Sequence, residues 1–224
     1  MASSIIVNGG FETNGGAGSS TFTGWTVTNE SGSGGSWYVQ TGTLSPLNGL
    51  PVPVPPEGSY AAMTDASGPS SQVLIQDFTV PLDATSVTLS FDYLLNNLGP
   101  DYVPGGDLDF NDSPNQQARV DILPSADGAF DTSSVLLNAY RTQSGDTLQP
   151  GAWETFSEDI TSAVSPGGTY QLRFAEVDDL GQFNFGVDNV QINVNTGSVP
   201  EPSTVALSAA GLVLLGLRLR RKIA

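Results

Sequence analysis

In the run Val87-Thr88-Leu89-Ser90-Phe91-Asp92-Tyr93 every large apolar side chain falls on one face and every polar one on the other. That two-residue period belongs to a half-buried β-strand and cannot serve a helix. Val120 and Ile122 repeat it within Ala118–Leu123, as do Leu172 and Phe174 within Tyr170–Phe174. Shorter β-branched or aromatic runs occur at Ile5–Val7, Trp25–Thr28, Trp37–Gln40, Tyr60–Met63, Val73–Val80, Val135–Leu137, Glu154–Phe156 and Gly186–Val194. Gly, Pro, Asn and Asp fill the gaps, and no stretch before residue 200 sustains a helical period over three turns. About ten such runs with turn chemistry between them predict an all-β chain, an antiparallel β-sandwich over residues 1–194.

The 224 residues suffice for one domain with a real core. There is no Cys and no His, which excludes disulfide scaffolds, thiol catalysis, Cys/His zinc sites and Ser-His-Asp triads. The single lysine, Lys222, stands third from the end, so a buried catalytic lysine is excluded too. Up to Val199 three arginines, Arg119, Arg141 and Arg173, face 22 carboxylates, leaving −19. Such a surface repels phosphate backbones, so no nucleic-acid partner is expected; it suits divalent cations. Catalysis would rest on Asp and Glu alone. Paired carboxylates can hydrolyse glycosides, and Glu154, Glu158, Asp159, Glu176, Asp178 and Asp179 offer pairs, but nothing separates them from strand-end charges. The chain is expected not to be an enzyme.

Two long loops break the strand pattern. Residues 43–58 hold Leu50-Pro51-Val52-Pro53-Val54-Pro55-Pro56, extended and unable to join a sheet centre. Residues 96–116 hold Asp107-Leu108-Asp109-Phe110-Asn111-Asp112, with oxygen ligands at alternate positions as at the start of an EF-hand loop. The pattern then fails, because Asp112 stands where Gly is needed and Ala118 where a bidentate Glu belongs. Two readings stay open: a looser calcium loop through Asp107, Asp109, Asn111 and Asp112, or a solvated acidic loop. For sugar binding, Trp37, Tyr38, Tyr102 and Trp153 are the aromatics nearest loops, with burial in the core as the alternative for each.

After Val194 the character changes. Residues 195–203 form a linker ending in Val199-Pro200-Glu201-Pro202-Ser203, and residues 204–224 are a hydrophobic segment with a basic end. Thr204 to Leu217 contains only Ala, Val, Leu, Gly, Ser and Thr, and Arg218, Arg220, Arg221 and Lys222 follow. This predicts a single C-terminal hydrophobic helix in the membrane, extended by snorkelling arginine stems, with its basic end cytoplasmic and the acidic domain on the far side. The motif, apolar span and basic end together closely resemble the PEP-CTERM signal of exosortase-processed bacterial proteins. The resemblance implies export to the cell envelope, surface or exterior, with the helix held in the inner membrane until an exosortase-type membrane protease processes the Val199, Pro200, Glu201, Pro202 region. It also implies company with exopolysaccharide or biofilm. The opening Met1-Ala2-Ser3-Ser4-Ile5-Ile6-Val7-Asn8 has no basic n-region and too short an apolar run for a Sec signal peptide, so export is inferred from the tail alone.

Asn8-Gly9-Gly10-Phe11-Glu12, Gly24-Trp25 and Val187-Asp188-Asn189-Val190 resemble the opening and closing motifs of galactose-binding-like jelly rolls, the fold of many carbohydrate-binding modules. In that fold Trp25 is a core residue and the first and last strands are neighbours, so Glu12 and Asp188 would meet. The resemblance implies a structural Ca²⁺ there with Glu12 and Asp188 as ligands; the alternative is that Glu12 caps a turn and Asp188 accepts backbone N–H bonds. The expected function is thus an exported, non-catalytic surface or matrix protein. The alternatives are a carbohydrate-binding module proper and a small glycoside hydrolase or lyase.

Overall fold

A computed structural model describes residues 3–148 and 152–197. The motif Val199–Pro202, the hydrophobic segment and the basic residues Arg218, Arg220, Arg221 and Lys222 lie outside the described residues. The strands are β1 (Ser3–Ser4), β2 (Thr26–Asn29), β3 (Gly35–Gln40), β4 (Ala61–Ala66), β5 (Ser70–Thr79) and β6 (Ala84–Asn97), then β7 (Gln117–Pro124), β8 (Leu137–Arg141), β9 (Glu154–Asp159), β10 (Thr169–Asp178) and β11 (Phe183–Thr196). They form two antiparallel sheets: β3-β4-β11-β6-β9 with β1 on β11, and β2-β5-β10-β7-β8. The all-β sandwich read from the two-residue period is the observed architecture, and no helix among the described residues is long and apolar enough to cross a membrane.

The alternation assigns each strand an inner and an outer face. Leu89 and Phe91 of β6, Val187 and Ile192 of β11, Val120 and Ile122 of β7 and Leu172 and Phe174 of β10 meet in one core. Phe91 and Phe174 join the sheets edge to face at 5.2 Å. Trp25 is buried in that core and its indole N–H donates to the Asn8 carbonyl at 3.1 Å.

Two expected strands are displaced. The first ends at Ser4; Ile5 still donates to Ile192 O at 2.9 Å, whereas Val7 N–H turns to the Gln76 side chain at 2.7 Å, so the chain leaves one sheet for the other. The run at Val135–Leu137 becomes β8 only from Leu137, and Tyr140 within it packs on Tyr93 at 4.9 Å.

Both outer faces are covered by loops. The Pro-rich segment straps the first sheet: Leu47 and Asn48 N–H donate to Asp65 at 2.8 and 2.9 Å, and Val52 packs on Met63, Leu94 and Trp153. The second sheet's outer face carries all three arginines that precede the tail. Arg119 and Arg173 each meet the buried Asp121 at 2.7 Å, and Arg173 also donates to the carbonyls of Ala129 and Asp131. Arg141 donates to Gln117 and to the Gly105 carbonyl. The arginines thus fasten two loops to the sheet.

Candidate functional site

Asp188 lies on β11 opposite Asp92 of β6, just before a bulge whose Asn189 has φ +49°. The bulge turns Val190 N–H onto the Gly9 carbonyl at 2.9 Å. A Cβ on Gly9 would sit 1.9 Å from the Val190 carbonyl oxygen, so only glycine permits this approach. The opening segment therefore lies on the closing strand, as the jelly-roll resemblance implied.

Glu12 and Asp188 grip one turn. Glu12 Oε1 accepts the N–H of Ser59 and Tyr60 at 2.8 and 2.9 Å, and Asp188 Oδ2 accepts Glu57 N–H at 3.3 Å. A Cβ on Gly10 would stand 2.4 Å from Glu57 Oε2 and 4.0 Å from Asp188 Oδ1, so the absent side chain leaves a cradle faced by two carboxylates. Asp188 is 0% exposed. Burial pushes its carboxyl up to about 7, Glu57 and Asp92 push the same way, and the N–H groups of Asn189 and Glu57 oppose them. The three arginines of the domain are engaged on the other sheet.

Among the described residues no three acidic side chains converge into a ready-made metal cage. Carboxylates alone do not complete a Ca²⁺ site here, and backbone carbonyls would supply the balance. The donor chemistry nevertheless fits: hard oxygens, uncompensated negative charge and the Gly10 cradle. Glu57 escaped the sequence reading; its one signal was Glu-Gly closing a proline run in a loop too long for a plain connection.

The Asp107–Asp112 loop is arranged differently. Asp109 Oδ1 accepts from Asn111 N–H at 2.7 Å, and Asp107 Oδ1 accepts from Asp109 N–H and the Asn115 amide at 3.3 and 3.2 Å. Those oxygens serve their own loop, whose pose is set by Leu108 and Phe110 packing on Val73, Ile75, Ala175 and Val177. Asn111 and Asp112 are exposed.

Of the four aromatics, Trp37 and Tyr102 are fully buried. Tyr38 is half-buried, and the half-buried Trp153 donates to Val54 O at 2.9 Å under the strap. Among the candidate carboxylates Glu154 accepts from Tyr93 Oη at 2.8 Å, Glu158 and Asp159 lie on edge strand β9, and Glu176 is sealed from solvent. Asp178 and Asp179 line a pocket of about 290 Å³ with Asn48, Ser67 and Gln182. Burial pushes Asp178 up to about 7. A larger groove of about 470 Å³ opens on the second sheet, lined by Thr26, Ile75, Asp77, Asp127 and Gln171. Gln171 is 7% exposed and its Oε1 has no partner. No sequence signal marked this groove, since only the fold brings residues 26, 77, 127 and 171 together.

Residues 198–222 match a family described as the PEP-CTERM protein-sorting motif. No curated protein matches the chain. Among solved structures, the Stig cyclase Fisc from Fischerella sp. TAU is similar at 15% identity, covering 88% of this chain and 100% of that one, TM-score 0.50. The carbohydrate-binding module TmCBM61, solved with β-1,4-galactotriose, matches at 14% identity over 86% of this chain and 99% of its own, TM-score 0.49. The K3 cleaved adhesin domain of Lys-gingipain from Porphyromonas gingivalis W83 matches at 16% identity over 76% and 90%, TM-score 0.46. At such identities the likeness is one of fold. The chain is a β-sandwich with carbohydrate-binding modules among its structural neighbours, followed by a PEP-CTERM sorting motif that implies export to the cell surface and processing by an exosortase.

Proposed function

We propose that this protein is a non-catalytic component of the cell surface or extracellular matrix, associated with exopolysaccharide or biofilm and released or anchored after processing at Pro200-Glu201-Pro202. The observation that carries the reading is the sorting motif beginning at residue 198, directly after β11 ends at Thr196. Ca²⁺ from the exterior would be held by Asp188, Glu57 and Glu12, where it supplies the positive charge that this corner lacks. The residues themselves bring the chain's opening segment, the strap and the last strand to one turn. Against catalysis stands the placement of most candidate carboxylates, with Glu154 bonded to Tyr93, Glu176 sealed, and Glu158 and Asp159 on an edge strand, which leaves Asp178 and Asp179 as the one pair that shares a pocket.

The test is mass spectrometry of the protein recovered from the exterior of its native host. The mature chain is expected to end near Pro202 and to lack residues 204–224, and Glu201→Ala is expected to accumulate unprocessed. Exterior protein still carrying Arg220 to Ala224 contradicts processing.

A second reading, a carbohydrate-binding module proper, is favoured by the groove on the second sheet, lined by Thr26, Asp77, Asp127 and Gln171. The Asp77 and Asp127 carboxylates present acceptors, which suit the O–H donors of a neutral saccharide and repel polyanions. Retarded migration of the full chain through a neutral galactan gel, reduced in Gln171→Leu, would support it; unretarded migration in every neutral glycan would leave only the first reading.

A further inference from the structure

Glu176 and Gln72 face each other in register on β10 and β5, on the inner face of the second sheet, and both are 0% exposed. Gln72 Nε2 donates to Glu176 Oε2. The two remaining oxygens of this pair, Glu176 Oε1 and Gln72 Oε1, are both buried without a partner. An ionised carboxylate only accepts, and an amide oxygen only accepts, so an ionised Glu176 leaves two orphaned acceptors in a sealed interior. One proton removes both defects.

We propose that Glu176 is held as the neutral carboxylic acid, its Oε1–H donating to Gln72 Oε1 while Gln72 Nε2–H donates to Glu176 Oε2. The pair is then a closed acid–amide ring joining β10 to β5, and loss of its proton to solvent opens it.

The surroundings leave no other way to keep a charge there. Asp178 on the same strand and Asp65 from β4 are the charged groups that reach Glu176, and both are acidic. Opposite Glu176 on its other side, β7 offers Ala118, and opposite Asp178, β5 offers Ser70, whose buried Oγ also lacks a partner. The neighbouring Arg119 and Arg173 point to the outer face, where Asp121 holds them. Burial pushes the Glu176 carboxyl far above its ordinary range, and Asp178 and Asp65 push it further. The consequence is a pH-sensitive seal. A carboxyl whose folded pKa is raised contributes stability that is complete below its unfolded pKa and is lost as pH rises through the folded one, by at most tenfold in the folding constant per pH unit. The ring thus makes this end of the sandwich tighter in acid than in alkali.

The experiment is infrared spectroscopy and thermal unfolding of the full chain between about pH 5 and about pH 9, for wild type, Glu176→Gln and Gln72→Leu. The wild-type minus Glu176→Gln difference spectrum is expected to contain the carbonyl band of a protonated acid at neutral pH. Glu176→Gln keeps an amide ring and is expected to lose one proton's share of the pH slope while melting no lower than wild type in alkali. Gln72→Leu leaves the acid in place and is expected to move its band to the higher frequency of an unbonded acid. A carboxylate band at Glu176 near neutrality, or a pH slope unchanged by Glu176→Gln, overturns the proposal. If Glu176→Gln does not fold, the wild-type and Gln72→Leu spectra still decide it: a protonated-acid band that Gln72→Leu shifts supports the ring, and one that it leaves unmoved refutes it.

Discussion

Asp121 and Asp188 are both fully buried aspartates on outer faces of the same sandwich, and the fold treats them in opposite ways. Asp121 has its counter-charges built in: Arg119 and Arg173 at 2.7 Å each, with the Asn138 amide at 2.8 Å. Asp188 has two backbone N–H donors, and its charged neighbours Asp92 and Glu57 are acids. The difference lies in the counter-charge that the chain itself supplies. The few arginines that precede the tail were all placed on one sheet, where they fasten loops. The other sheet, which joins the first strand to the last, has none of them at Asp188, so any counter-charge there would have to come from outside the chain. For an exported protein with a balance of −19 before its tail, that division is physically consistent, since the exterior supplies divalent cations.

The largest effect is expected where the counter-charge is internal. Arg173→Met leaves Asp121 half-neutralised in a buried site and unties the carbonyls of Ala129 and Asp131, so denaturant unfolding should show a loss of about 3–5 kcal/mol. A loss under about 1 kcal/mol would mean that the loop, and not the ion pair, holds that face. Next comes pH. Asp178, pushed up to about 7 by burial, adds stability that is complete below its unfolded pKa and fades as pH rises through about 7. The unfolding free energy in a chelator should therefore fall from acid toward neutral pH, with Asp178 contributing up to about 1.4 kcal/mol per pH unit, and Asp178→Asn should remove that share of the slope. Smaller again is Val52→Ala. Loss of two buried methyl groups from the strap should cost about 1–2 kcal/mol and should weaken Ca²⁺ binding as well, because the strap carries Glu57 to Asp188. Asp112→Ala, in the exposed acidic loop, should shift stability by no more than about 0.5 kcal/mol and leave any Ca²⁺ response intact. A lost response there would move the metal to that loop.

The sandwich was legible because its evidence is local: alternation at Val87–Tyr93 or Tyr170–Phe174 is a property of a few adjacent residues. The resemblance at the two chain ends put the first and last strands side by side, as β1 and β11 are, while Glu12 caps the turn at Ser59 and Tyr60 and Asp188 accepts backbone N–H bonds, the contacts of the alternative reading. Glu57, Gln171 and the Glu176–Gln72 pair were not legible. Each acquires its role from partners distant in sequence, by cross-strand register or by a loop folding back, and neither leaves a period or a spacing. Gln72 and Glu176 look like ordinary polar residues until β5 and β10 are laid side by side. For Asp107–Asp112, where a looser calcium loop and a solvated acidic loop both stayed open, Asp107 and Asp109 accept from the loop's own N–H groups.

The central claim is that an external cation completes the corner closed by Asp188. Its most direct measurement is thermal unfolding of the full chain in chelator and in about 1 mM Ca²⁺, for wild type, Asp188→Asn and Glu12→Ala. For a site of ~10 μM affinity the wild type should gain about 2.7 kcal/mol, and both variants should lose most of that gain. Wild-type melting indifferent to Ca²⁺, or an equal gain in both variants, would contradict it.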